Sequence, residues 1–178
     1  TMDHAILNDD DASRSKDKVA LIVQDRYTSW LQSFAAKTKA PIDCKWAIER
    51  FLGPANKAKH AYTDNSEELE KACKELGIQQ DTSLPYRPAT NGVAERAVRR
   101  VKEGTSCSLC QSGLADEWWV YAMECYCFHR NVIDILASGS TPYKTRWLVD
   151  FEAPVLPFGA EVTYKPIRQK DIARCHKL

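Results

Sequence analysis

The run Val19-Ala-Leu-Ile-Val23 does most to narrow what this chain can become. Five apolar residues in succession, three of them β-branched, suit a strand covered on both faces, since a strand with one wet face would alternate. Such a strand needs a layer on each side. Its neighbours fit that demand. Met2 to Leu7 is short and mostly apolar, the polar segment 8–18 with Asp9, Asp10 and Asp11 separates it from the run, and Trp30-Leu-Gln-Ser-Phe-Ala35 follows the turn-like Asp25-Arg-Tyr-Thr-Ser29. The reading is an antiparallel meander of three strands.

Helical spacing takes over downstream. Ile42, Trp46 and Ile48 to Leu52 predict a helix over Pro41–Leu52, stopped by Gly53-Pro54. His60 to Thr63 is a short strand, and Asp64 stands at its carboxyl end. Asn65 with Glu68 three residues later has the pattern of a capping box for the next helix, which Gly77 ends. Ile78 to Asp81 is a further short strand, and Thr82 to Gly92 is rich in turn formers. A helix from Gly92 to Gln111 is expected, then one over Asp116–Ile135 burying Trp118, Ala122, Cys125, His129 and Val132, with Trp119, Tyr126 and Ile133 alongside. Beyond Gly139 periodicity fades until Pro157 to Pro166, which reads as extended. The order predicts an α/β fold.

Length and charge set the remaining bounds. With 178 residues the chain fits one domain, taken as 1–150, and the start of an extension, 151–178. Lys165, Arg168, Lys170, Arg174 and Lys177 against Asp171 make the last 14 residues basic. The chain opens in what reads as a strand and stops in this basic stretch, as an excerpt of something longer would. A hydrophobic fraction of 44% excludes a wholly disordered chain. The net charge is only +1, so affinity for nucleic acid has to come from local clusters. Seven Cys is an odd number in a domain large enough to need no staples, which favours reduced thiols. No apolar run approaches the roughly 18 residues of a membrane span, and the amino terminus is acidic where a signal peptide is basic then apolar. A soluble, intracellular chain is expected.

Three acids fall where a site can form: Asp3 in the first strand, Asp64 at the end of the fourth, and Glu95 in the first turn of the helix after the turn-rich loop. Open sheets put chemistry at the carboxyl ends of strands. Carboxylates from neighbouring strands and a crossing helix suit hard divalent cations and phosphodiester chemistry. Each acid alone also reads as an ordinary solvated charge. On the helix, Glu95, Arg99 and Lys102 share one face while Val93, Ala94, Ala97, Val98 and Val101 line the other, with Arg96 and Arg100 on the flank. That face can hold a metal at its start and phosphates further along, or it is a surface of i,i+4 ion pairs.

The strings Tyr62-Thr-Asp-Asn65, Gly77-Ile78 and Pro85-Tyr86-x-Pro88-x-x-Asn91-Gly-Val-Ala-Glu-Arg96 resemble the catalytic core of retroviral and LTR-retrotransposon integrases. The likeness continues through Leu114-x-x-x-Trp-Trp119, Asn131, Thr141-Pro142-Tyr143 and Phe158-Gly159, in an order similar to copia-type elements, and spans nearly the whole chain. It implies a ribonuclease H-like α/β fold, with a mixed five-stranded sheet, an antiparallel meander and flanking helices. It implies an acid triad binding two Mg²⁺ or Mn²⁺ ions, with Asp64 as the second acid and Glu95 as the third. Asp3 is the first choice for the first acid, with Asp11 and Asp25 behind it. Tyr86, Asn91, Arg96, Arg99, Arg100 and Lys102 would hold DNA. The implied enzyme is a nucleotidyltransferase that processes 3′ ends and joins them to target double-stranded DNA, as a homo-oligomer, in the nucleus after import from the cytoplasm.

The chain departs from the family in three places. Ser66 stands where Gly is usual, Leu69 where an aromatic often follows, and the 30 residues between Asp64 and Glu95 are fewer than in retroviral members. The family's amino-terminal zinc module is absent from the sequence. A second reading is an integrase-like DNA- or protein-binding module that keeps the fold without turnover. A third is a zinc-stabilised interaction module built on Cys107, Cys110, Cys125 and His129, against which these residues read more simply as core thiols and a packed histidine. Zinc is therefore not expected in this segment.

Overall fold

The structure is a computed structural model that describes residues 1–7, 12–82 and 92–163. Strands β1 (Met2–Ile6), β2 (Val19–Gln24) and β3 (Leu31–Ala36) form the antiparallel meander, with β2 in the middle. Val19 to Val23 are all buried, as the continuous apolar run requires. Side chains alternate across the pleat. Leu21 and Val23 therefore enter one core, packed on Cys44, Ala47, Ile48 and Phe51 of α1 (Pro41–Leu52) and on α2 (Glu67–Glu75). Ala20 and Ile22 enter a second core under α3 (Gly92–Ser112) and α4 (Trp119–Ile133). Helices thus cover both faces of the meander.

The turn joining β2 to β3 is fixed by Asp25. Its carboxylate accepts from the Thr28 hydroxyl at 2.6 Å and from the Tyr27 N–H at 3.1 Å. At the start of β3, the Asn131 side chain exchanges two hydrogen bonds with the Leu31 backbone, at 2.9 and 2.7 Å, across 100 residues of sequence. This buried amide supplies to Leu31 what a further strand would supply.

β4 (His60–Thr63) and β5 (Gln79–Thr82) pair in parallel, joined by α2 as crossover. β4 lies beside β1. Among the described residues the five strands fall into ladders of three and two, so the expected single five-stranded sheet is not closed by hydrogen bonds. The capping box expected at Asn65 and Glu68 does not form. Extended backbone persists through Ser66, which becomes the N-cap without a side-chain bond, and Glu67, Glu68 and Glu70 favour the helix start through its dipole instead.

On α3 the buried residues are Ala94, Ala97, Val101, Thr105 and Leu109, with Glu95, Arg99 and Lys102 exposed, in agreement with the periodicity. Gly104 lets α4 come close: a Cβ there would lie 2.1 Å from the Tyr126 ring. The stripe expected on the next helix is displaced. Residues Asp116–Trp118 form a 3₁₀ turn, and α4 then buries Trp119, Ala122, Met123, Cys127 and Asn131, leaving Cys125, His129 and Val132 half-buried and Ile133 exposed. A tighter first turn shifts the phase of everything after it.

A short helix, α5 (Pro142–Trp147), is absent from the sequence reading. Its signal was there: Thr141 caps it, accepting from the Lys144 N–H, and Pro142 takes the first turn. Past α5 the chain crosses back over α4. The Phe151 ring lies 5.3 Å from Phe128 and 5.4 Å from Tyr143, His129 Nε2 donates to the Leu156 carbonyl at 2.8 Å, and Phe158 joins the second core. The extended stretch expected from Pro157 instead begins with a turn closed by the Ala160 N–H on Pro157, and its end lies outside the described residues. No helix among the described residues is long and apolar enough to cross a membrane.

Candidate active site

β1 faces two ways. Met2 belongs to the first core and Ala5 to the second, so Asp3, two residues from Ala5, points to the α3 side of the sheet. Asp64 follows the last residue of β4, the strand beside β1. Glu95 sits in the first exposed turn of α3, the helix that packs over β1. β1 and two elements that contact it thus carry or adjoin one acid each.

Their mutual influence is read at Asp3. Burial pushes its carboxyl above the usual range, and the His4 N–H, donating at 2.7 Å, opposes this only in part. Asp64 and Glu95 both push it further up, while Lys39 pulls it down. Both other acids are therefore within electrostatic reach of Asp3. They do not form a closed cage: among the described residues no three His, Cys, Asp or Glu side chains converge into a group able to hold a metal ion. Glu95 is exposed on the first turn of α3.

Asp64 carries the feature that best fits a cation. Its Oδ1 is buried and has no hydrogen-bond partner among the described residues, and the same holds for Ser66 Oγ two residues on. An unpaired buried carboxylate oxygen is costly and rare in a settled fold. A hard divalent ion takes oxygen donors of this kind, so the residues present suit Mg²⁺ or Mn²⁺.

The alternatives for the first acid separate clearly. Asp25 is committed to its turn: burial works to raise its carboxyl, but the Thr28 hydroxyl and the Tyr27 and Thr28 N–H groups outweigh this and hold it below the usual range. Asp11 lies outside the described residues, as do Tyr86 and Asn91. Of the cations expected on α3, Arg96 is exposed, Arg99 pairs with Glu103 at 3.7 Å, and Lys102 Nζ donates to the Ile6 carbonyl at 3.5 Å. Burial pushes the Tyr126 hydroxyl up, and Arg130 and then Arg100 offset this only in part.

The residues of the zinc reading are dispersed. Cys107 and Cys110 are exposed on α3, whereas Cys125 Sγ lies 3.5 Å from His129 Nε2, which is already engaged with Leu156. His4 is also occupied. Its Nε2 lies 3.5 Å from Cys44 Sγ, and burial, with Lys39 adding, lowers its proton affinity. Three neighbours of the acids were passed over in the sequence: Lys39, Thr63 and Gln80. Thr63 had a signal, its place inside the Thr-Asp-Asn string; the other two had none, because they arrive from separate elements.

No family model matches the chain. Relatives do. It is 31% identical over 127 residues to a retrovirus-related Pol polyprotein from transposon TNT 1-94 of Nicotiana tabacum, a match covering 68% of this chain and 9% of the relative. It is 29% identical over 113 residues to the Gag-Pol polyprotein of gibbon ape leukemia virus, covering 60% of this chain and 7% of the other. The chain therefore spans less than a tenth of the length of these relatives. Among solved structures, the catalytic core domain of bovine immunodeficiency virus integrase matches with a TM-score of 0.56 at 21% identity, over 80% of this chain and 89% of that one. The HTLV-2 integrase catalytic core domain, in complex with magnesium in a trimeric form, matches with a TM-score of 0.56 at 18% identity, over 82% and 91%. These likenesses establish the ribonuclease H-like fold. In sequence the chain is thus similar to part of the Pol polyproteins of retroelements, and in fold to retroviral integrase catalytic cores.

Proposed function

We propose that the chain is the catalytic core of a retroelement integrase, which cleaves the 3′ ends of element DNA and joins them to target DNA in a metal-dependent reaction. The observation that carries this is the coupling of Asp3 to both Asp64 and Glu95, beside a buried Asp64 oxygen that lacks a partner. In this reading Asp3, Asp64 and Glu95 hold the metal. A bound pair of Mg²⁺ or Mn²⁺ ions supplies Lewis acidity to the attacking and departing oxygens of an in-line displacement at phosphorus.

The chain's own residues do the rest. Burial around Asp3 excludes water and strengthens every charge interaction there. Arg96, Arg99, Arg100 and Lys102, on α3 beyond Glu95, neutralise DNA phosphates and fix the register of the strand. Tyr86 and Asn91, on the segment that enters α3, hold the DNA end. With water as nucleophile the product is a processed end; with a DNA 3′-hydroxyl it is a joined strand. Residues 1–150 carry the core, and the chain after them packs back onto it through Phe151 and Phe158. Joining two ends in concert needs more than one such site, so the working form is a homo-oligomer on double-stranded DNA, and its place of action is the nucleus.

Nicking of a labelled DNA duplex tests the reading. The parent should nick with Mg²⁺ or Mn²⁺ and not in chelator, and Asp64→Asn should lose this while unfolding at the parent's urea midpoint. Unchanged nicking by a folded Asp64→Asn would leave the binding-module reading in its place.

A further inference from the structure

The chain leaves β4 under the control of two side chains that the acid motif does not include. Thr63, the last residue of β4, is fully buried, and its hydroxyl donates to the Asp64 carbonyl at 2.6 Å. The same oxygen accepts from the side-chain amide of Gln80 on β5, also at 2.6 Å. The register makes this possible: Ala61 is opposite Gln80, and Thr63 lies one pleat further along the same face.

Hydrogen-bond chemistry gives the relay a direction. The Gln80 nitrogen only donates, so it takes a lone pair of the hydroxyl and leaves the single Thr63 proton for Asp64. Bonds in such a chain polarise and strengthen one another. Asp64 has need of an external hold. Its Oδ1 has no partner among the described residues, so no bond at that atom fixes the carboxylate, and a fixed backbone narrows where it can point.

We propose that Thr63 and Gln80 are positioning residues: they lock the Asp64 peptide and so orient its carboxylate to receive a divalent cation. This rests on the reading of Asp64 as a metal ligand. Groups that orient a ligand without touching the metal are typically worth about 10- to 100-fold in metal affinity. A purely structural pin between β4 and β5 would instead affect stability and leave affinity alone.

The test uses the chain with Mn²⁺ alone as probe, counting free Mn²⁺ by electron paramagnetic resonance and following urea unfolding in chelator. Thr63→Val and Gln80→Met should each weaken Mn²⁺ binding about tenfold, and Thr63→Ser, which keeps the hydroxyl, should stay within about twofold of the parent. Gln80 is only half-buried, so Gln80→Met keeps the fold and decides the matter if Thr63→Val does not. Parent-like binding by Gln80→Met, or a Thr63→Ser protein as weak as Thr63→Val, overturns the proposal. Asp64→Asn separates the two levels. If it binds Mn²⁺ as the parent does, the ligand reading fails and the relay with it; if it is weakened while Gln80→Met is not, the relay alone falls.

Discussion

Asp3 and Asp25 are carboxylates at the same end of paired strands, and the fold treats them oppositely. Asp25 gathers a hydroxyl and backbone N–H groups and is held below the usual carboxylate range. Asp3 has one backbone N–H, is pressed by burial and by two further acids, and is held above it. The same contrast runs through the wider structure. Around β3, the buried Asn131 amide pairs with both polar groups of Leu31. Around β4, Asp64 Oδ1 and Ser66 Oγ are buried and unpaired among the described residues. Trp30 Nε1 and Ser33 Oγ near β3 are also buried without a partner among the described residues, so what sets β4 apart is that one of its unpaired atoms is a carboxylate oxygen within electrostatic reach of Asp3. Unsatisfied, like-charged groups gathered near one another are a functional signature, because a fold shaped for stability alone would pair them.

The sharpest way to break this contrast is chemical. Asp64→Asn should lower metal-dependent nicking by at least about 100-fold with little change in the urea midpoint, since Asp64 Oδ1 makes no hydrogen bond among the described residues. On the satisfied side the effect should be on stability instead. Asn131→Ala strands the Leu31 N–H and C=O and should cost about 2–4 kcal/mol in urea unfolding. Asp25→Ala should cost about 1 kcal/mol at neutral pH. Its pH dependence has a definite sign: Asp25 contributes above the unfolded carboxyl value of 3.8, and that contribution is lost as pH falls through its lower folded value, so variant and parent converge in acid.

Asp3 sharpens the comparison with the smallest and opposite effect. Its folded carboxyl keeps its proton more tightly than the unfolded chain, so the associated stability is present below the unfolded value of 3.8 and is lost as pH rises through the raised folded value. In chelator at neutral pH, Asp3→Asn should therefore melt slightly above the parent, and the gain should vanish in strong acid. A variant that melts lower at neutral pH would place Asp3 among the structural acids with Asp25.

Much of the architecture was legible because it rests on local pattern. The buried run Val19 to Val23 fixed a covered central strand, and the spacing of Ala94, Ala97 and Val101 separated the two faces of α3. Errors arose where a local irregularity changed the frame. After the 3₁₀ turn at Asp116–Trp118 the buried stripe of α4 runs through Trp119, Met123, Cys127 and Asn131 in place of Trp118, Cys125, His129 and Val132, and extended backbone through Ser66 removed the capping box. Asp64 and Glu95 stood in motif strings and Asp3 only in a strand-like stretch; how the three sit together was not readable, because β1, β4 and α3 meet only in the tertiary fold. Thr63 stood inside the Thr-Asp-Asn string, but its pairing with Gln80 was invisible for the same reason. Their bond depends on the parallel register of β4 and β5, which no spacing along the chain encodes.

The central claim is that Asp3, Asp64 and Glu95 serve one metal-dependent transfer reaction on DNA. An oligonucleotide strand-transfer assay with Mg²⁺ or Mn²⁺, comparing the parent with Glu95→Gln, addresses it directly. The account predicts joined products from the parent only when the metal is present, and none from Glu95→Gln at matched folded concentration. Joined products from Glu95→Gln in the parent's yield, or from the parent in chelator, would contradict it.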